Sequence, residues 1–179
     1  GSNTVYIIGT YDEEKHSFTR KDYNQIDYGL DFYAPQTLEA EDGRRIMIGW
    51  MNSWENRIVP DSFKWCGMMT IPRELTVRDG ILIQNPVREI ENYYKNSVEY
   101  TNILVEDEIR LGKISGRNID MTVEIMDGEY NELQIKVAKN SECETTISYE
   151  PSKNIVTFDR TYSGTNRGVL HRSSMKLKK

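Results

Sequence analysis

The dipeptide Asp79-Gly80 lies between two β-type runs, Met68 to Val77 and Ile81-Leu82-Ile83. A two-residue hairpin loop needs positive φ at its central positions, which glycine adopts freely and aspartate tolerates, so this is the strongest hairpin signal in the chain. A hairpin here commits its flanks to antiparallel pairing, and the upstream sequence extends the pattern. Tyr33 to Leu38 reads as a strand closed by the turn Glu41-Asp42-Gly43. Arg44 to Met51 follows, with Ile46, Met47 and Ile48 as a nearly continuous apolar run that suits a strand buried on both faces. Pro72 places the middle of the Met68 to Val77 run at an edge or bulge, because proline has no N–H to give to a ladder. Four consecutive antiparallel strands are therefore expected between Tyr33 and Ile83. Further upstream, Val5 to Tyr11 and Ser17 to Arg20 read as a hairpin whose tip is Asp12-Glu13-Glu14-Lys15.

A four-stranded meander is the unit from which a propeller blade is built. The sequence after it changes character. Pro86 to Asn96 sets Val87, Ile90 and Tyr94 on one stripe behind a proline at the first helical position, which predicts a short helix, the only good helix candidate. Asn118 to Met126 then alternates Ile119, Met121, Val123 and Ile125 with Asp120, Thr122 and Glu124. Leu133, Ile135 and Val137 repeat the device against Gln134, Lys136 and Lys139. Period-two alternation means one dry face and one wet face, as in a sandwich. The chain is thus expected to be all-β: a meander over residues 1–86, a helical connector over 87–96 and a β-sandwich over 97–179.

Composition narrows the function classes. Among 179 residues, 23 Lys and Arg face 28 Asp and Glu, a formal charge of −5 that offers no basic footprint to nucleic acid or anionic lipid. The apolar share is 37%, low for one compact globule, yet with three Trp and eleven Tyr too rich for a disordered chain. No apolar run approaches the roughly 20 residues a membrane span needs. The start, Gly1-Ser2-Asn3-Thr4, shows neither a basic nor an apolar leader segment. Cys66 and Cys143 are far apart, make no C-x-x-C pair and read as two thiols in a reducing compartment, so a cytoplasmic location is expected. Gly1-Ser2 has the look of an expression scar, and the end at Met175-Lys176-Leu177-Lys178-Lys179 has no turn or cap, so a piece of something longer is expected.

Three clusters carry possible chemistry. Asp27-Tyr28-Gly29-Leu30-Asp31-Phe32-Tyr33-Ala34-Pro35-Gln36 combines carboxylates with aromatics just before a strand. Aromatic faces stack on the apolar faces of sugars while carboxylates accept from hydroxyls, so the cluster can form a sugar platform. The plainer reading is a loop entering a buried strand, with Asp31 as a turn acceptor. Trp50 and Trp54, four apart at the end of a buried strand, can line a pocket or fill a core. Arg73 and Glu74 in Ile71-Pro72-Arg73-Glu74-Leu75 read as a structural ion pair. His16 and His171 have no ligand partner at useful spacing, and there is no phosphate loop, dinucleotide fingerprint or G-x-S-x-G, so no metal site and no cofactor are expected.

Taken in order, Asp27-Tyr28-Gly29 with Asp31-Phe32-Tyr33-Ala34, Gly49-Trp50, Pro72-Arg73-Glu74-Leu75 and Phe158-Asp159-Arg160 resemble glycoside hydrolase family 32, which includes invertases, levanases, inulinases and sucrose-6-phosphate hydrolases. Order and spacing match the family's later half over essentially the whole chain. The resemblance implies a five-bladed β-propeller followed by a β-sandwich, with Val5 to Arg20 in the fourth blade, Tyr33 to Ile83 in the fifth and the sandwich from near Ser97. It also implies retaining cleavage of β-fructofuranosides, which needs two carboxyl groups, a nucleophile and an acid/base. The family's nucleophile lies in W-M-N-D-P-N-G, its transition-state-stabilising Asp in R-D-P and its acid/base in an E-C pair. None occurs here in matching context. Trp50-Met51-Asn52-Ser53 has Ser53 where Asp belongs, and Glu142-Cys143 falls in the sandwich-like half.

The resemblance therefore implies a C-terminal portion with no catalytic residue of its own and no activity in isolation. It assigns Asp31, Tyr33 and Trp50 to the wall of a pocket for a fructose-containing saccharide. The family's sandwich has further strands after Phe158-Asp159-Arg160, so an incomplete sandwich and self-association through unpaired strands are expected. Two alternatives stay open: a carbohydrate-binding module with Tyr93, Tyr94, Tyr100 or Tyr162 as platform, and a purely structural sandwich.

Overall fold

The computed structural model describes residues 4–52, 54, 59, 62–126, 128–164 and 170–177. It divides into two compact units, Gly1–Val87 with Tyr130–Lys179, and Arg88–Glu129.

In the larger unit, β1 (Val5–Asp12) and β2 (Ser17–Gln25) form the expected hairpin, with the return strand running five residues past Arg20. The second sheet holds β3 (Tyr33–Glu39), β4 (Arg45–Met51), β5 (Met68–Met69), β6 (Arg73–Arg78) and β7 (Ile81–Pro86), in the order β3-β4-β6-β7 with β5 also on β4. The predicted run from Met68 to Val77 is broken at Pro72 into β5 and β6, both lying along β4. Thr70 bridges the gap: its N–H donates to the Gly49 carbonyl at 2.9 Å, and its hydroxyl accepts from the Gly49 N–H at 3.0 Å. A side chain thus supplies the ladder bond where the backbone pairing is interrupted. Asp79 and Gly80 take φ of 51° and 74°, both positive as a two-residue hairpin loop requires.

The core of this sheet sits on β4. Among the described residues, the buried hydrophobic side chains are Phe32, Ile46 and Met47, so the apolar run does bury neighbouring positions that point to opposite faces. Gly49 is the notch for Phe32, because a Cβ there would lie 2.4 Å from the ring.

The third sheet is a plain antiparallel meander of β8 (Leu133–Val137), β9 (Thr145–Glu150), β10 (Ile155–Asp159) and β11 (Arg172–Lys176). β8 is the alternating segment expected at Leu133-Ile135-Val137. Elsewhere in the sheet, Thr157 on β10 is buried, and its hydroxyl meets that of exposed Ser174 on β11 at 2.9 Å.

The smaller unit holds the short helix expected over Pro86 to Asn96, as a 3-10 helix, Arg88–Tyr93, that buries none of its residues. A helix this short is marginal without a packed apolar face, and its last turn carries no basic residue to favour a longer one. The strand expected over Asn118 to Met126, by contrast, is absent among the described residues, and Ile119, Met121, Val123 and Ile125 are exposed. Alternation marks which side would be dry, but a strand exists only when a neighbour takes its backbone bonds.

The architecture is all-β, the sheets of a propeller end and of a β-sandwich, with that 3-10 helix as the helical element among the described residues.

Candidate functional site

Of the three residues expected to face a sugar, Tyr33 and Trp50 come together. They are cross-strand partners at the start of β3 and the end of β4, their ring centroids 6.4 Å apart at 72°. Trp54 extends the group, 5.4 Å from Trp50 and again edge-on. Edge-to-face packing of this kind holds rings at fixed angles and leaves faces available to a ligand. Ser53, the position that distinguishes this segment from a nucleophile motif, lies outside the described residues.

Trp50 is set from behind. Gly67 has φ of +76°, and a Cβ on it would fall 2.4 Å from the Trp50 indole nitrogen and 3.1 Å from the Asn52 Cβ. Buried Asn52 donates from Nδ2 to Cys66 Sγ at 3.2 Å. Phe63 and Trp65 stack at 4.9 Å just before this turn, and both are exposed. Sequence reading passed over Gly67, Asn52 and Cys66 as a support for the indole. The visible signal was a glycine immediately preceding a β-type run.

Asp31 is placed differently. Its Oδ2 accepts from Nη1 of Arg160, with the two side chains only 17% and 15% exposed. Arg160 follows β10, and its Nη2 also donates to the Leu170 carbonyl at 3.2 Å. Two quoted motifs far apart in sequence thus meet through one ion pair. Nearby, the Ser173 hydroxyl of β11 donates to the Tyr28 carbonyl.

Asp27, in the same loop, accepts the Gly29 N–H at 2.6 Å on Oδ1 and Arg73 Nη1 at 2.8 Å on Oδ2. Arg73 also donates to Gln84 at 2.9 Å and lies over the Phe32 ring at 4.9 Å. Glu74 accepts from Arg44 at 2.7 Å. Arg73 and Glu74 both enter ion pairs, but not with each other, since neighbours on a strand point to opposite faces. A cleft of about 490 Å³ lies beside this network, lined by Ile26, Tyr28, Arg73, Gln84, Asn85 and Met175 among others; Asp31, Tyr33 and Trp50 are not in its wall.

Glu142 and Cys143 donate their N–H groups to the side chain of Asn140, at 2.8 and 2.7 Å, in the turn before β9. Among the described residues no group of three or more His, Cys, Asp and Glu is gathered to hold a metal. Among the described residues, no helix is long and apolar enough to cross a membrane.

A blade-type sheet ending in an aromatic pair is joined by an ion pair to a separate antiparallel meander. The N-terminal domain model of glycosyl hydrolases family 32 matches residues 1–86, and the family's C-terminal model matches residues 89–178. The chain belongs to glycosyl hydrolases family 32. It is 33% identical over 159 residues to a sucrose-6-phosphate hydrolase of Staphylococcus xylosus, covering 89% of this chain and 32% of that one. Over 70 residues it is 53% identical to a raffinose invertase of Escherichia coli, covering 39% of this chain and 15% of that one. Among solved structures, a Bombyx mori GH32 beta-fructofuranosidase mutant in complex with sucrose superposes with a TM-score of 0.63 at 21% identity, covering 98% of this chain and 35% of that one. The chain spans about a third of the length of the sucrose-6-phosphate hydrolases it matches over most of its own length.

Proposed function

We propose that this chain is the later portion of a retaining β-fructofuranosidase acting on sucrose, sucrose 6-phosphate or a fructan, and that it supplies pocket wall rather than catalytic groups. In this reading residues 1–86 are the end of the propeller, 87–96 a linker and 97–179 the sandwich. The observation that carries it is the Tyr33–Trp50 pair, a half-buried aromatic corner within the segment that the family's N-terminal model matches. Tyr33 and Trp50 offer apolar surface to a fructosyl ring, and Asp31 stands at the entrance to the same strand. A carboxylate has about four lone-pair sites, so bonding to Arg160 and accepting a sugar hydroxyl are compatible roles for Asp31.

A retaining mechanism requires a nucleophile and an acid/base carboxyl about 5–5.5 Å apart. Without that pair the covalent route is lost altogether, so the purified chain is expected to leave sucrose intact. Hydrolysis by the chain alone would refute the reading. In a full-length fructosidase carrying this segment, Trp50→Ala is expected to lower kcat/KM, and an unchanged value would remove Trp50 from the site. A cytoplasmic location, expected from the half-buried thiols Cys66 and Cys143, belongs to the same proposal.

A further inference from the structure

Tyr33 is held weakly by its own strand. It pairs with Trp50, but the register then shifts before Gln36, and Ala34 sits at φ of 45°. The bulge separates Tyr33 from the regular part of the β3–β4 ladder, so its place is decided by what fixes the residues before it. Those residues are held by side chains. Gln84 donates to the Ile26 carbonyl at 2.6 Å, Arg73 pairs with Asp27 at 2.8 Å, and Phe32 fills the notch at Gly49. Two further holders come from the C-terminal part of the unit: Ser173 of β11 on the Tyr28 carbonyl, and Arg160, just after β10, on Asp31, two residues before Tyr33.

We infer that Arg160 is a positioning residue: by holding Asp31 it sets the angle of the Tyr33 ring against Trp50, so that the C-terminal sheet tunes a sugar-facing corner it does not itself line. This rests on the reading of Tyr33 and Trp50 as that corner. Arg160 is suited to the task because its own position is fixed twice, by its N–H donating to the His171 carbonyl at 2.8 Å and by its Nη2 on Leu170. A guanidinium held in this way acts as a rigid donor rather than a mobile charge. Replacing Arg160 takes a charged donor away from an enclosed carboxylate, so the Asp31 side chain shifts and carries Tyr33 with it.

The test uses nuclear magnetic resonance on the 179-residue chain. The Trp50 indole N–H signal is assigned by its loss in Trp50→Phe. In Arg160→Met, that signal is expected to move while the amides of β8 and β9 stay in place. An unmoved Trp50 signal, with or without a general loss of stability, overturns the inference. If Arg160→Met does not fold, Arg160→Lys decides on the same signal, since it keeps the charge and loses the fork. Titration of the unmodified chain with inulin separates the two readings. No response at Trp50 removes the sugar-facing corner, whereas the positioning role stands or falls on the shift seen without sugar.

Discussion

At the scale of single residues, two positions have consequences that follow from one atom each. Gly67 combines a left-handed backbone with a Cβ position 2.4 Å from the Trp50 indole nitrogen. Gly67→Ala meets both penalties and is expected to cost about 1–3 kcal/mol, read as a lower melting temperature, with a shift in tryptophan emission as the indole is displaced. A melting curve and emission spectrum unchanged from the parent would show that the turn relaxes freely. Asp159 is the second case. The hydroxyl and then the N–H of Thr161 donate to its carboxylate and hold it below the ordinary aspartate value, against the opposing effect of desolvation. Its folded pKa is depressed, so its contribution is present above the ordinary value of 3.8 and disappears as pH falls through the folded value. Denaturant titrations from pH 5 downward should therefore show a shallower acid loss of stability in Asp159→Asn than in the unmodified chain. Of the candidate residues, Tyr33 and Trp50 were legible as aromatics flanking strands. The Asp31–Arg160 bond was not, because nothing local in either motif states that partners 129 positions apart will meet.

At the scale of elements, turn chemistry was the most readable signal. Asp79-Gly80 and the acidic tip before Ser17 each marked a hairpin that forms, since positive φ and local polarity are properties of a few adjacent residues. Gly80→Val places a β-branched side chain at φ of 74° and is expected to destabilise the β6–β7 hairpin by about 1–2 kcal/mol, measured by denaturant unfolding. A neutral result would mean that the loop changes type. What failed was inference from periodicity alone. Residues 118–126 alternate as cleanly as β8 does, yet only β8 has β9 beside it to accept and donate backbone bonds. The connector is a short helix where one was expected, but of 3-10 form: the stripe of Val87, Ile90 and Tyr94 stabilises a longer helix only when something covers it, and this one buries none of its residues.

At the scale of the whole molecule, the larger unit has more apolar surface than its sheets cover. Val5, Ile7, Tyr11, Phe18 and Tyr23 on the β1–β2 hairpin are each about half exposed. The outer strands of the other sheets, β3 and β7 in one and β8 and β11 in the other, each have an edge with no strand alongside among the described residues. Open edges and uncovered apolar faces both favour pairing with a second chain. Sedimentation at rising concentration is expected to show association, and a clean monomer at high concentration would contradict it. All-β character, the blade-like meander and the family were readable because many short motifs agreed in order; the packing between sheets was not, since it depends on contacts no single segment encodes.

The bond from Arg160 to Asp31 also sets an order of events during biosynthesis. Synthesis at about 5–20 residues per second puts roughly 6 to 26 seconds between the appearance of the aspartate and that of its arginine 129 positions later. Through that interval the nascent aromatic corner must wait, with its loop held by groups such as Arg73, Gln84 and the Phe32 ring at Gly49, until the ribosome delivers the distal clamp.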